Sequence, residues 1–337
     1  MTVAKTLPTV TVLMSVHNGE QFLHEAIDSI LSQTFTDFEL LAFDDCSTDQ
    51  SLSILRSYSE ADSRVRVTAN PQNLGLTKTL NLGLSMARGT YIARMDADDV
   101  SLPNRLEKQV AFLEAHPAVA VLGACGQVID ESGHPIGKLT LPIAVPDIKE
   151  RLLHGNCLIH TSVVIRADVM RDAGGYSEKH PYAQDYELWL RLAERVDLAN
   201  LPDVLVNYRA HAGQVSIKKL ADQWRIAETC RVAAIRRTIA RGARISEQIS
   251  ISKTPRERLT AAPGTLGHVY LHWARIYEST EHLALSRTML RACVRHSPLS
   301  REAWHLLLSA LADTHFVFGL LRRCVRRVRS FRSHRLR

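Results

Sequence analysis

The sequence predicts an α/β fold: a mostly parallel sheet flanked by helices, followed by an all-helical C-terminal region. Three observations carry that prediction. Over the first hundred residues, β-branched apolar runs alternate with segments of helical periodicity. The runs are apolar at successive positions and their connections are short, as in a buried parallel sheet with right-handed crossovers. Beyond Ile217 no strand signal appears.

The first strand is Thr9–Val16, ended by the turn chemistry of His17-Asn18-Gly19. Phe22, Leu23, Ala26, Ile27, Ile30 and Leu31 then recur at helical spacing. Phe38–Phe43 is the second strand and runs into Asp44-Asp45. Ser47 with Gln50 reads as a capping box for a helix carrying Leu52, Leu55 and Tyr58. Arg64–Thr68 is a third strand, Leu76–Ala87 a helix, and Thr90–Met95 a fourth strand. After Asp99 the regularity breaks. A helix over Leu102–His116 precedes a strand at Ala118–Leu122. A hairpin around Glu131-Ser132-Gly133 pairs Val128–Ile129 with Ile136–Leu139. Leu158–Arg166 is a strand, Tyr186–Glu194 a helix and Val204–Tyr208 the last strand. The first hundred residues read as a nucleotide-binding half, and the next 110 or so as a mixed half for a second substrate. Further on, Trp273, Ala274 and Tyr277, then Ala284, Leu285, Met289 and Leu290, then Trp304, Leu307, Leu308 and Leu311 suggest antiparallel helix pairs. Ser246–Gly264, polar with two Pro, reads as a linker. The expected division is 8–216, a helical region 217–318 and a basic tail 319–337.

Composition excludes several classes. With 45% hydrophobic and 23% charged residues, a packed core is expected and wholesale disorder is not. The net charge of +7 is set by eight Arg within 320–337, which leaves the body nearly neutral and gives no argument for nucleic-acid binding. Cysteines 46, 125, 157, 230, 293 and 324 form no C-x-x-C pair and read as reduced thiols of a cytoplasmic protein. Met1–Pro8 lacks a basic region followed by an apolar stretch, so no signal peptide is expected. His305, Asp313 and His315 argue against a membrane span at Ala303–Leu321. In the tail, Leu320, Leu321, Cys324, Val325, Val328 and Phe331 share one helical face, and Arg fills the rest. That pattern predicts peripheral attachment to an anionic membrane, on its inner face.

The usual phosphate loops are missing. Gly133–Leu139 is one residue short of a P-loop and reads as the hairpin, and no G-x-G-x-x-G follows the first strand. There is no H-E-x-x-H, and His24-Glu25 reads as a solvated helix face. Carboxylates at strand ends are the positive signal: Asp44 and Asp45 after the second strand, and Asp96, Asp98 and Asp99 after the fourth. In an extended segment Asp96 and Asp98 face the same way and can share one ligand. Oxygen donors of this kind suit Mg²⁺ or Mn²⁺ bridging carboxylates and substrate phosphates. The plainer alternative is an acidic turn, with Asp99 capping the following helix.

Residues 8 to about 216 resemble the family 2 glycosyltransferases with the GT-A fold. The matching pieces fall in the family's order: Val12–Glu20, Asp44–Asp49, Asn73-Leu74-Gly75-Leu76, Ala93–Asp99, Gly174-Gly175-Tyr176, Gln184–Arg191 and Tyr208-Arg209-Ala210-His211. Cys46 departs from the family's commoner Gly. The resemblance implies an inverting transfer from a nucleotide diphosphate sugar, of uridine or thymidine, to an acceptor hydroxyl. It implies that Ser15, His17 and Glu20 line the nucleoside pocket and that Asp45 contacts base or ribose. Asp96 would sit near ribose and metal, Asp98 would ligate the metal, and His211 would touch metal or diphosphate. Arg94 either neutralises phosphate or pairs with Asp99. Asp185 matches the general base, its alternative being an N-cap for the helix that follows. Trp189 and Leu190 are expected in the core. The expected acceptor is a saccharide or lipid-linked saccharide, in cell-surface polysaccharide or glycolipid synthesis. The competing readings are a nucleotidyltransferase, which needs a basic glycine-rich loop where His17-Asn18-Gly19-Glu20 stands, and a non-catalytic scaffold.

Overall fold

The computed structural model describes residues 7–211, 213–214, 219–242, 270–271, 274 and 283–311. The chain divides into two compact units, Met1–Ile249 and Ser250–Arg337.

The first unit is built on a nine-stranded sheet among the described residues. Its strands are β1 (Val10–Val16), β2 (Phe38–Asp44), β3 (Val65–Ala69), β4 (Tyr91–Asp96), β5 (Val100–Ser101), β6 (Val119–Ile129), β7 (Pro135–Leu139), β8 (Val164–Arg166) and β9 (Asp197–Arg209). The order is β3-β2-β1-β4-β8-β6-β9-β5, with β7 paired to β6. Strands β3, β2, β1 and β4 are mutually parallel. Strand β8 runs antiparallel to both β4 and β6 and joins the parallel half to the mixed half. The helices are α1 (Glu20–Leu31), α2 (Ser51–Ala61), α3 (Leu76–Met86), α4 (Arg105–Ala115), α5 (Val145–Leu152), α6 (Ala167–Asp172), α7 (Gln184–Leu192) and α8 (Leu220–Ala240).

Strand periodicity sends alternate side chains to opposite layers. Val10, Val12, Met14 and Val16 pack with Leu23, Ala26, Ile27 and Ile30 of α1, and with Leu106, Val110 and Leu113 of α4. Leu13, Leu41 and Phe43 face the other way, in a core that holds Leu80 of α3, Trp189 of α7, and Cys230 and Ala234 of α8. Trp189 and Leu190 are buried, as expected. Because α8 packs into this core, the first unit extends past residue 216.

Several local expectations are corrected. Helix α2 begins at Ser51 with no side-chain cap, because Ser47 accepts the Asn18 N–H at 3.0 Å instead of capping. The strand expected over Leu158–Arg166 is confined to Val164–Arg166, after a short 3-10 turn at His160–Ser162. Strands β6 and β9 run longer than their hydrophobic runs because they pair with each other, in parallel, over most of their length. The hairpin is present, with Gly133 at φ 85 and Asp130 accepting the N–H groups of Ser132 and His134 at 2.8 and 2.9 Å.

In the second unit, α9 (Leu283–His296) and α10 (Arg301–Leu311) form the expected helical pair. Met289, Leu290, Cys293, Ala303 and Leu307 are buried in it. The Trp304 indole donates to the Pro298 carbonyl at 2.8 Å and fixes the connection. The linker at 246–264 and the tail at 319–337 lie outside the described residues, as do Trp273 and Tyr277. No helix among the described residues is long and apolar enough to cross a membrane.

Candidate active site

Strand register brings the candidate residues to one edge. Ser15 of β1 stands opposite Phe43 of β2 and Asp96 of β4, and Val16 stands opposite Asp44. The parallel strands therefore end together, and their carboxyl ends form the crevice where open α/β sheets bind ligands.

On the nucleoside side the loops are tied to one another. The His17 imidazole donates from Nδ1 to the Asp45 carbonyl at 3.0 Å, and Asn73 donates to its Nε2 at 3.2 Å. His17 is exposed at the rim and available to a planar ligand. Glu20 accepts the Gln50 N–H at 2.8 Å, and Asp49 accepts the Glu20 N–H at 3.1 Å. That exchange locks the start of α2 to the start of α1. The Asp45 carboxylate is 2% exposed. It accepts Asn70 Nδ2 and Leu74 N–H on Oδ1, and Gly75 N–H on Oδ2, each at 2.8 Å. The carboxylate of Asp45 thus faces Asn70 and the Asn73–Gly75 loop. Gly75, at φ 81, takes the left-handed turn that opens α3.

The acidic loop departs from the extended geometry expected of it. Strand β4 ends at Asp96 and the chain turns at Ala97-Asp98, so strand periodicity no longer aligns Asp96 with Asp98. Asp96 is held by Arg94, and Thr161 Oγ1 accepts its N–H at 3.0 Å. The Arg94 ion pair therefore runs to Asp96, not to Asp99. Burial and the neighbouring Asp98 raise the Asp96 pKa, against the pull of Arg94. Asp99 caps no helix: it is buried and accepts the Arg209 N–H at 2.7 Å, while α4 starts at Arg105 after Asn104. Burial and the charges of Asp98 and Asp96 push its carboxyl well above the usual range.

Asp98 meets His211. The imidazole Nε2 donates to Asp98 Oδ2 at 2.9 Å, with the two side chains 15% and 34% exposed. Adjacent ligands of an octahedral ion held at about 2.1 Å stand about 3 Å apart, so this oxygen and nitrogen fit one Mg²⁺ or Mn²⁺. Among the described residues no group of three or more His, Cys, Asp or Glu could hold an ion. Asp96, turned to Arg94, does not join the pair. Two protein donors completed by phosphate oxygens and water suit such a cation.

Sequence reasoning gave no role to Arg209, the clamp beneath this pair. Its side chain is 1% exposed. It donates to the carbonyls of Asp98 at 2.8 Å, Asp130 at 3.1 Å and Glu131 at 3.2 Å, and it pairs with Glu25. Its guanidinium lies 4.6 Å from the Phe22 ring centre, and Phe22 meets the His211 ring edge-on at 5.1 Å. Its place directly after the last expected strand, within Tyr208-Arg209-Ala210-His211, was the available signal.

Asp185 lies within the first turn of α7, two residues past the N-cap Ala183. The N-cap position itself belongs to Ala183, while the Asp185 carboxylate accepts the Tyr186 N–H of the first turn. Asn156 donates from Nδ2 to its Oδ2 at 2.8 Å. Burial raises the Asp185 pKa, and Asp96 adds to the rise, while the Tyr186 N–H and Asn156 oppose it. Burial pushes the Tyr176 hydroxyl pKa up, with the charges of Asp185 and Asp96 adding to the rise against Arg94. His160, 2.9 Å from that hydroxyl, is held neutral by burial and by Arg94. The arrangement can hold an anion through a cation at one wall and take a proton at the other.

The sequence model for Glycosyl transferase family 2 matches residues 11–172. An uncharacterized glycosyltransferase of Haemophilus influenzae is 36% identical over 218 residues, covering 62% of this chain and 68% of that protein. The amylovoran biosynthesis glycosyltransferase AmsE of Erwinia amylovora is 35% identical over 212 residues, covering 62% and 79%. The crystal structure of S. aureus TarS 1-349 in complex with UDP-GlcNAc shares the fold, with a TM-score of 0.55 at 18% identity, covering 86% of this chain and 92% of that one.

Proposed function

The chain belongs to glycosyl transferase family 2, and from that premise we propose an inverting transfer from a uridine or thymidine diphosphate sugar to a hydroxyl of a saccharide or lipid-linked saccharide. The observation that carries the reading is the Asp98–His211 pair at the carboxyl end of the parallel strands, with Asp185 near enough to Asp96 to feel its charge. Asp185 accepts the acceptor's proton as its oxygen bonds to the anomeric carbon. The bond from that carbon to the diphosphate oxygen breaks on the opposite face, and its electron pair leaves with the nucleotide. One displacement inverts the centre. Asp98 and His211 would hold Mg²⁺ or Mn²⁺, which when bound neutralises charge growing on the diphosphate. The raised pKa of Asp185 makes it a stronger base than an ordinary carboxylate. His17, Ser15 and the loop shaped by Asp45 form the nucleoside wall. The relative in amylovoran biosynthesis supports a place in cell-surface polysaccharide synthesis. The Arg-rich tail, basic on one face and apolar on the other, supports attachment to an anionic cytoplasmic membrane surface where a lipid-linked acceptor resides.

The test is nucleotide release from a panel of uridine, thymidine and guanosine diphosphate sugars with Mn²⁺, in the wild type and in Asp185→Asn. The variant should bind the preferred nucleotide normally, with turnover down roughly 10²–10⁴-fold. An unchanged turnover would remove Asp185 as the base, and a guanosine preference would overturn the donor assignment.

A further inference from the structure

The segment 156–162 touches Asp96 through Thr161 and Asp185 through Asn156, and none of the motifs quoted above includes its first residue. It is firmly held. Asn200 donates to the carbonyls of Pro142 at 2.7 Å and Cys157 at 3.1 Å. Gln109 donates to the Ser162 carbonyl at 2.8 Å. The Ser162 hydroxyl donates to the Ile159 carbonyl at 2.8 Å and accepts the Ala124 N–H at 3.1 Å. On this support Thr161 accepts from Asp96, His160 meets Tyr176, and Asn156 meets Asp185.

Asn156 has its amide orientation fixed from both ends. Its Oδ1 accepts the Leu158 N–H at 3.2 Å, which leaves Nδ2 as the group facing Asp185 at 2.8 Å. We propose that Asn156 is a positioning residue: its amide turns the Asp185 carboxylate toward the acceptor and favours its ionised form. The inference rests on Asp185 being the base. One donated hydrogen bond occupies one of the carboxylate's lone-pair sites and leaves others for a substrate hydroxyl. Without it only backbone N–H groups of the first helical turn hold the carboxylate, and burial and charge act with less opposition. The groups around Asp185 are Asp96 from β4, Tyr176 from the turn after α6, and Cys230 from α8. Burial and Asp96 oppose ionisation of Asp185, and the Asn156 amide with the N–H groups of Tyr186 and of Asp185 itself favours it.

The experiment uses the full chain with carboxyl-¹³C aspartate, the Asp185 signal being identified by its loss in Asp185→Asn. The carboxylate is titrated in the wild type, Asn156→Ala and Asn156→Asp. In parallel, the pH profile of nucleotide release is measured on the donor that the panel selects. Asn156→Ala should move the Asp185 midpoint, and with it the acid limb of activity, upward by roughly one pH unit, the scale of one charge-assisted hydrogen bond. Asn156→Asp keeps the acceptor for Leu158 but sets a second carboxylate against the first, so it should move the midpoint further. Turnover should fall about tenfold in Asn156→Ala, with donor KM unchanged. A midpoint that stays put in both variants overturns the proposal, and so does a limb that moves only because both variants lose donor affinity. If Asp185→Asn itself keeps full turnover, the base reading fails first, and the titration then reports only on a structural hydrogen bond.

Discussion

Asp45→Asn separates two accounts of the nucleoside wall. The carboxylate accepts three hydrogen bonds of 2.8 Å while 2% exposed. An amide of the same shape can keep its oxygen toward Asn70 and Leu74, but its nitrogen then faces the Gly75 N–H, donor against donor. One bond to a charged group, worth about 1.5–3 kcal/mol, is lost, and two others weaken to neutral strength. The expected destabilisation is about 3–4 kcal/mol. For the compact unit Met1–Ile249 this lowers Tm by roughly 10 °C. UDP affinity, acting through the Asn73–Gly75 loop, should fall less than about tenfold, one factor of ten being about 1.4 kcal/mol. Thermal unfolding and calorimetric titration with UDP measure both. A Tm within 2 °C of wild type together with an affinity loss near a hundredfold, about 2.7 kcal/mol, would refute the reasoning and return Asp45 to direct nucleotide contact.

Three further outcomes are expected. Asp98→Asn should leave Tm nearly unchanged and weaken Mn²⁺-dependent UDP binding at least about tenfold; activity that persists in excess EDTA would contradict the cation pair. Cys46 sits at φ 59, a conformation that costs an L residue about 1–2 kcal/mol. Cys46→Gly should therefore raise Tm by roughly 2 °C after the entropic cost of glycine is subtracted, and a lower Tm would show that the thiol makes contacts worth more than the strain. Removal of residues 320–337 should abolish salt-sensitive sedimentation with anionic vesicles while sparing UDP binding, since each Arg near such a surface contributes about 1 kcal/mol; equal sedimentation by both forms would dismiss the tail as the anchor.

The parallel half was legible because its signals are local. Val10–Val16 and Phe38–Asp44 are apolar throughout, as two-sided burial demands, and Asp45 and Asp96–Asp99 fall where such strands stop. The mixed half was less so. Strands β6 and β9 extend through Gly123, Gly126 and Pro202 because a partner strand stabilises them, and no local pattern reports a partner 78 residues away. The same limit governs the site. Sequence spacing put Asp96 and Asp98 on one strand face, but the strand ends at Asp96, which pairs with Arg94, and the partner that Asp98 finds is His211, 113 residues on. Glu20 and Asp45 carry motif chemistry, yet their carboxylates bind backbone N–H groups of neighbouring loops. A motif marks that a residue is needed without saying whether its partner is ligand or chain.

The Arg209 clamp also sets an order of events during synthesis. Strands β1 to β4 are complete by Asp96, and their pairing needs nothing further along the chain. The carbonyl of Asp98 and the carboxylate of Asp99 wait for a partner 110 to 111 residues later. A ribosome adding about 5–20 residues per second leaves that loop unfastened for roughly ten seconds. During that interval the emerging sheet has its four parallel strands but no Asp98–His211 pair. A nascent chain stalled before β9 would thus lack Arg209, His211 and the β9 and α8 side chains that complete both cores, and the Asp98–His211 pair closes only when that strand and the residue two positions beyond it are added.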